Sequence, residues 1–310
     1  MRYTNNEINS IINKSKMLVD IINEDKSVSK ELESIEYLVF AGLLSYYGEE
    51  TTDIIFKAFQ QIDFIYNKGS AFECLVNHPD MTDEYLDFVK KGDPAAFVHS
   101  NIKIKDSNDL DIKYTIYLFD KGDRPYVALL EEAIHEVNHI VNSVEKVVWN
   151  FNGCNYARSG ISFASFSGSS IPEFINLEES INVLQSHEIL KHIYQFTDYD
   201  IEDQSFKDSL DKMAVVSYED REPAGYESIV PIVKPLYEDE HFNLVLKKKR
   251  MSGDINVIVA DFDSKTSDGS FEELSSSLDS IIFDRSSSFL KYYENQSTAK
   301  RLVKQYVEHR

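Results

Sequence analysis

His135, Glu136 and His139 stand in the order His-Glu-Val-Asn-His. Histidines four apart project from one face of a helix, one turn above each other, so both imidazoles can reach a single metal ion. Glu136 lies about 100° round the helix from His135, where a carboxylate can sit beside the metal as a general base without ligating it. On a helix this spacing is the zinc-binding and general-base signature of a metallohydrolase. The cofactor it predicts is one zinc ion (Zn2+) per chain. The competing reading is a chance match, in which the two histidines are hydrogen-bonded residues at the edge of a core.

Catalytic zinc usually takes three protein ligands and keeps one open position. A continuation of the motif with a glycine and a third histidine is absent: the corresponding positions hold Asn142 and Glu145, and the pattern predicts an unbroken helix there. The third ligand must then come from another element. The next capped helix, expected from Pro172 to about Tyr194, offers Glu173, Glu178 and Glu179. Glu173 is used by a capping box with Ser170. Glu179 has Ile175 one turn before it and Val183 one turn after it, and a carboxylate in an apolar row is costly unless something positive meets it. Glu178 has Asn182 and Gln185 as neighbours and reads as more solvated. The spacing favours Glu179 and keeps Glu178 as the alternative.

These groups need elements to hold them. Asp123-Arg124-Pro125 is a helix start, and Val127, Leu130, Ile134, Val137, Val141, Val144 and Val148 follow as one apolar stripe with His135 and His139 on its flank. Such a helix turns one face to a core and an edge to a cleft. The first ninety residues read as helical: a capping box at Thr4–Glu7 precedes Ile8, Ile11, Ile12, Leu18, Ile21 and Ile22, and further helices are expected at 30–47, 52–66 and 82–91. Lys91-Gly92-Asp93-Pro94 breaks the run, and strands are expected at 97–104 and 112–119. Two more, at 149–151 and 160–166, flank the turn residues Asn152 to Asn155. The last third reads as helical, with breaks at Glu222–Gly225, Ser252–Asp254 and the serine-rich 264–277.

A His-Glu-x-x-His helix followed by a second helix bearing a glutamate resembles the gluzincins, the thermolysin-like clan of zinc metallopeptidases. More narrowly, Arg158-Ser159-Gly160-Ile161 and then Asn176-Leu177-Glu178-Glu179-Ser180-Ile181 look like a pattern in poorly characterised bacterial zincin-like proteins, where an Arg-x-Gly-aliphatic strand precedes a Leu-Asn-Glu-Gly helix. Here Glu178 replaces the asparagine and Ser180 the glycine. The resemblance spans residues 123 to 235 or so. It implies a metal-activated water as nucleophile, Glu136 as its base, and a tyrosine to steady the oxyanion. Tyr226 in Tyr226-Glu227-Ser228-Ile229-Val230 matches the tyrosine-led helix of that group, with Tyr218 and His241 as alternatives.

Composition narrows the partners. The chain of 310 residues carries 32 basic and 53 acidic side chains, a net charge of -21, so its average surface repels phosphate backbones and anionic membranes. Nucleic acid and membrane partners are not expected. The N-terminus lacks a charged start with an apolar run, and Cys74 and Cys154 read as free thiols. The expected location is cytoplasmic, although leaderless export would leave the same pattern. Lys247-Lys248-Lys249-Arg250 reads as a solvated helix end, His187 and His192 as surface residues, and Glu131 and Glu132 as part of a solvated face.

The expectation is an α+β, zincin-like fold: a small twisted sheet packed on the metal-binding helix. Residues 1–92 would form a helical N-terminal region, 93–200 the catalytic core, and 201–310 a helical C-terminal region closing the cleft. The function expected is hydrolysis of peptide bonds in a peptide or protein substrate, with an extended peptide docking along the strand 112–119. The alternative is a non-catalytic interaction protein that keeps the same fold.

Overall fold

A computed structural model describes the chain except residues 1–2, 25–29, 79–85, 88, 91–95, 105–109, 121–125, 146–147, 152–153, 166–172, 201–227, 284–288 and 310. The expected capping box at Ser170, the breaks at 91–94 and 222–225, and Tyr218 and Tyr226 lie outside the described residues. The fold is α+β, with many helices and two small sheets. It divides into two compact units, each made of two stretches of chain. One takes Met1–Asn138 and Ser186–Asp220, the other His139–Gln185 and Arg221–Arg310.

In the first unit α1 (Asn5–Asn23) starts at the expected capping box, with Thr4 N donating to Glu7 Oε2 at 2.8 Å. Its buried face runs through Ile8, Ile11, Ile12, Ser15 and Val19, and Ile21, one of the residues at helical spacing, is exposed. Ser15 can lie on that face because its hydroxyl donates to Ile11 O at 2.7 Å. Helix α2 (Lys30–Tyr47) buries Ile35, Leu38, Val39, Phe40, Leu43 and Leu44. Helix α3 (Thr52–Gln60) is shorter than expected, because the alternating Ile62, Phe64 and Tyr66 continue as strand β1 (Ile62–Lys68).

Strand β1 pairs in parallel with β3 (Leu110–Asp120), which pairs antiparallel with β2 (Ala96–Ile104) after the short helix α4 (Ala71–Leu75). The order is β1-β3-β2. This overturns one expectation: residues 112–119 belong to the central strand, which is paired with β2 on one edge and, from Tyr114 onward, with β1 on the other, so it is not open to a docking peptide. Helix α5 (Tyr126–Val141) carries the two histidines and ends earlier than its stripe suggested. Residues 142–145 form turns, and Val148 belongs to a strand.

In the second unit β4 (Val148–Phe151), β5 (Cys154–Ser159) and β6 (Ser162–Ser165) form an antiparallel meander. The sequence missed β5 and assigned Gly160 to a strand, whereas Gly160 and Ile161 make the turn between β5 and β6. Glu173 pairs with Phe163 across a single bridge and Phe174 holds φ 59°, so helix α6 (Ile175–Asp200) begins at Ile175 instead of Pro172. Helices α7 (Val230–Glu238), α8 (Glu240–Ser252), α9 (Ile255–Lys265), α10 (Ser270–Phe283) and α11 (Phe289–Glu308) complete the unit. Gly253 ends α8 in the left-handed region at φ 72°, as its position in Ser252-Gly253-Asp254 predicts. Rings link the start of α6 to these helices: Phe174 meets Phe271 at 5.2 Å, Phe271 meets Phe262 at 5.5 Å, and Phe262 stacks on Tyr306 at 5.0 Å.

Candidate metal centre

Residues 135 and 139 lie on α5 one turn apart, and Glu179 lies in the first turns of α6. Ligand atoms of His135, His139 and Glu179 all fall within 4.8 Å of one another. Among the described residues they form a group of histidine and carboxylate that could hold a metal ion. Glu136 follows His135 on α5 and is half-buried. Two imidazoles and one carboxylate are a nitrogen and oxygen set suited to zinc.

The two nitrogens of His139 face different carboxylates. Nε2 lies 3.4 Å from Glu179 Oε2, and Nδ1 lies 3.1 Å from Glu178 Oε1. A histidine that ligates a metal through one nitrogen commonly donates its other N–H to a carboxylate, which fixes the tautomer and the ring plane. Glu178 stands where that partner is needed, and Nε2 faces the metal group. The side chains of His135, His139 and Glu179 thus suit a divalent metal ion.

Local structure explains how Glu178 gets there. Its backbone N–H donates to Phe174 O at 2.9 Å, so the left-handed Phe174 sets the first turn. Its carboxylate accepts from Ile161 N at 2.9 Å in the β5–β6 turn. Gly160 N donates to Ser143 Oγ at 3.0 Å, and Ser143 Oγ donates to His139 O at 2.6 Å, tying the turn to the end of α5. Arg158 is buried, donating from Nη1 to Gly160 O at 2.5 Å and to Arg250 O at 2.8 Å.

Glu178 was expected to be solvated and is 1 % exposed. Its row is buried because Asn182 and Gln185, the polar neighbours that suggested water, are buried too and face Arg250. Glu179 lies in the group that could hold a metal, yet the more deeply buried carboxylate of the two is Glu178. Arg250, expected at a solvated helix end, has no exposed surface and forms an ion pair with Glu178. The missed signal was the four-residue spacing of Phe242, Leu246 and Arg250, which places Arg250 on the buried row of α8.

Burial alone would lower the pKa of His139, but the charge of Glu179 and hydrogen bonds to Glu178 and Glu179 outweigh it and raise the pKa from 6.5 to about 10. Burial would raise that of Glu178, but Arg250 and His139 hold it down from 4.5 to about 2. Without metal, a proton on His139 and the charge of Arg250 together balance the two carboxylates. A divalent cation meets the same demand.

Other candidates lie elsewhere. His241, an alternative to Tyr226, pairs with Asp261 at 2.7 Å. His187 is half-buried, 3.7 Å from Glu131, and His192 lies 2.7 Å from Ser45 Oγ and 3.0 Å from Tyr3 OH, so neither is a plain surface residue. No described helix is long and apolar enough to cross a membrane. Comparison with protein-family models, curated proteins and solved structures gives no match to the chain.

Proposed function

We propose that the chain is a zinc-dependent metallopeptidase of zincin-like fold, in which His135, His139 and Glu179 hold the metal and Glu136 is the general base. The observation that carries this reading is the pair of distances at His139, with Nε2 turned to Glu179 and Nδ1 held by Glu178. Zinc bound there would act as a Lewis acid, acidifying a water and polarising a substrate carbonyl. Glu136 would take the proton of that water on a carboxylate oxygen and pass it to the leaving amine. Tyr226, in the resemblance, would donate from its hydroxyl to the developing oxyanion. The acidic chain favours neutral or basic peptides over acidic ones.

The test is digestion of a peptide library by the wild type and Glu136→Gln, each first assayed for zinc. The expected result is equal metal content and loss of cleavage by ~10²- to 10⁴-fold in the variant. Wild-type cleavage by Glu136→Gln would overturn the mechanism. Metal retained by both proteins with four protein ligands and no cleavage by either would favour the interaction protein.

A further inference from the structure

Arg250 is a fully buried cation beside the proposed centre, and burying a guanidinium is expensive unless its donors are met. Nε donates to Glu178 Oε2 at 3.0 Å and Nη2 donates to Glu178 Oε1, forming a two-pronged fork. Nη2 also donates to Asn182 Oδ1 at 3.0 Å, and Nη1 donates to Gln185 Oε1.

An ionised carboxylate offers about four acceptor sites. At Glu178, Oε1 faces Arg250 and His139 Nδ1, while Oε2 faces Arg250 and the Ile161 N–H. All four are used. Glu178 therefore has no lone pair left for a metal, and the only role it leaves His139 Nδ1 is that of donor. The imidazole lone pair must then sit on Nε2, the nitrogen that faces Glu179.

We infer that Arg250 is a positioning residue for the metal centre: its fork locks Glu178 so that His139 presents Nε2 to the ion. The inference rests on the proposed metal site. It assigns a role in that site to a residue of α8, which lies 71 positions after Glu179, the difference between 250 and 179. It also explains why adjacent glutamates on α6 do different jobs. Glu179 faces His139 Nε2 within the metal group, whereas Glu178 carries the arginine fork and orients His139.

Arg250→Met alone would leave Glu178 buried and unbalanced and would risk unfolding. The informative variant is therefore the pair Arg250→Met with Glu178→Gln, which removes both charges together. Zinc affinity would be measured by chelator competition. Cadmium NMR of protein carrying isotope-labelled histidine would show which nitrogen of His139 is bound. The wild type should couple cadmium to Nε2. The folded double variant should lose zinc affinity by ~10- to 100-fold and show Nδ1 or mixed ligation. Arg250→Lys, which keeps the charge without the fork, should fall between the two. A folded double variant with wild-type affinity and pure Nε2 coupling would overturn the positioning role while leaving the metal site standing. Wild-type protein that binds neither zinc nor cadmium would overturn the site and the positioning role together.

Discussion

A Cβ on Gly160 would run into the Glu178 carboxylate. Gly160 also holds φ +59°, a conformation that costs other residues about 1–2 kcal/mol. The turn thus uses glycine twice, for its backbone freedom and for the close approach of the carboxylate. Gly160→Ala should displace Glu178, lower the thermal midpoint by several degrees and weaken zinc binding. Gly269 supplies the control, because its φ is +78° but nothing lies within 4 Å of its absent Cβ. Gly269→Ala should show the backbone cost alone, with zinc affinity unchanged. Equal losses of stability and metal affinity in the two variants would contradict the close packing.

The adjacent glutamates should separate under two measurements. Glu179→Ala should abolish tight zinc binding and, by removing the charge that most raises the pKa of His139, should lower metal-free stability by less than Glu178→Ala does. Glu178→Ala strands Arg250 without its partner, and breaking a buried pair from one side typically costs ~3–5 kcal/mol. Its penalty should therefore appear in denaturant melts run with excess chelator. If Glu178→Ala proved the harmless one in chelator, the buried ion pair would be the wrong account of that row.

Phe174 supports the start of α6 from a strained backbone. Its φ is 59°, and its ring contacts those of Phe163 at 5.5 Å and Phe271 at 5.2 Å. Phe174→Ala should cost about 3–5 kcal/mol, the range for losing a buried phenyl ring. Phe174→Gly loses the same ring and one more carbon, yet it should be the more stable of the two by about 1 kcal/mol, because glycine accepts the left-handed backbone. Urea melts of the two variants would decide this, and the reverse order would mean that the backbone strain is not felt.

Much of this arrangement was legible in the sequence wherever a short local pattern determines the outcome. The capping box at Thr4 and Glu7, the limits of α2 and the glycine stop at Gly253 all follow from residues within one turn. Strand β1 was hidden because Ile62 to Tyr66 carries apolar residues dense enough to satisfy a helical period, and only its partner β3 decides the matter. At the candidate site, the closeness of the two histidines could be read directly, since residues four apart on a helix lie one turn apart. The sorting of Glu178 from Glu179 could not. It depends on Arg250 and on the Ile161 N–H, both distant in sequence, and a polar neighbour such as Gln185 looks the same whether it faces water or a buried guanidinium. The two compact units are equally hard to read from the chain, because each joins stretches that are far apart in sequence.

The shifted groups predict a dependence on pH that zinc should change. The pKa of His139 is raised from 6.5 to about 10, so the folded chain holds this proton more tightly than the unfolded one. Its contribution to stability is complete below pH 6.5 and is lost as the pH rises towards about 10. Glu178 runs the other way: its pKa is lowered from 4.5 to about 2, so its contribution is present above pH 4.5 and is lost as the pH falls through about 2. From these two groups, metal-free protein should be most stable between about pH 4.5 and 6.5 and should weaken on the alkaline side. Zinc competes with the proton for His139, so binding near neutral pH should release close to one proton from this residue. Calorimetry in buffers of different ionisation enthalpy would count it. His139→Asn should remove His139's share of the alkaline loss in the metal-free protein. If zinc binds the wild type without releasing a proton, or if the alkaline loss is the same in His139→Asn, then His139 does not carry its proton between the two glutamates.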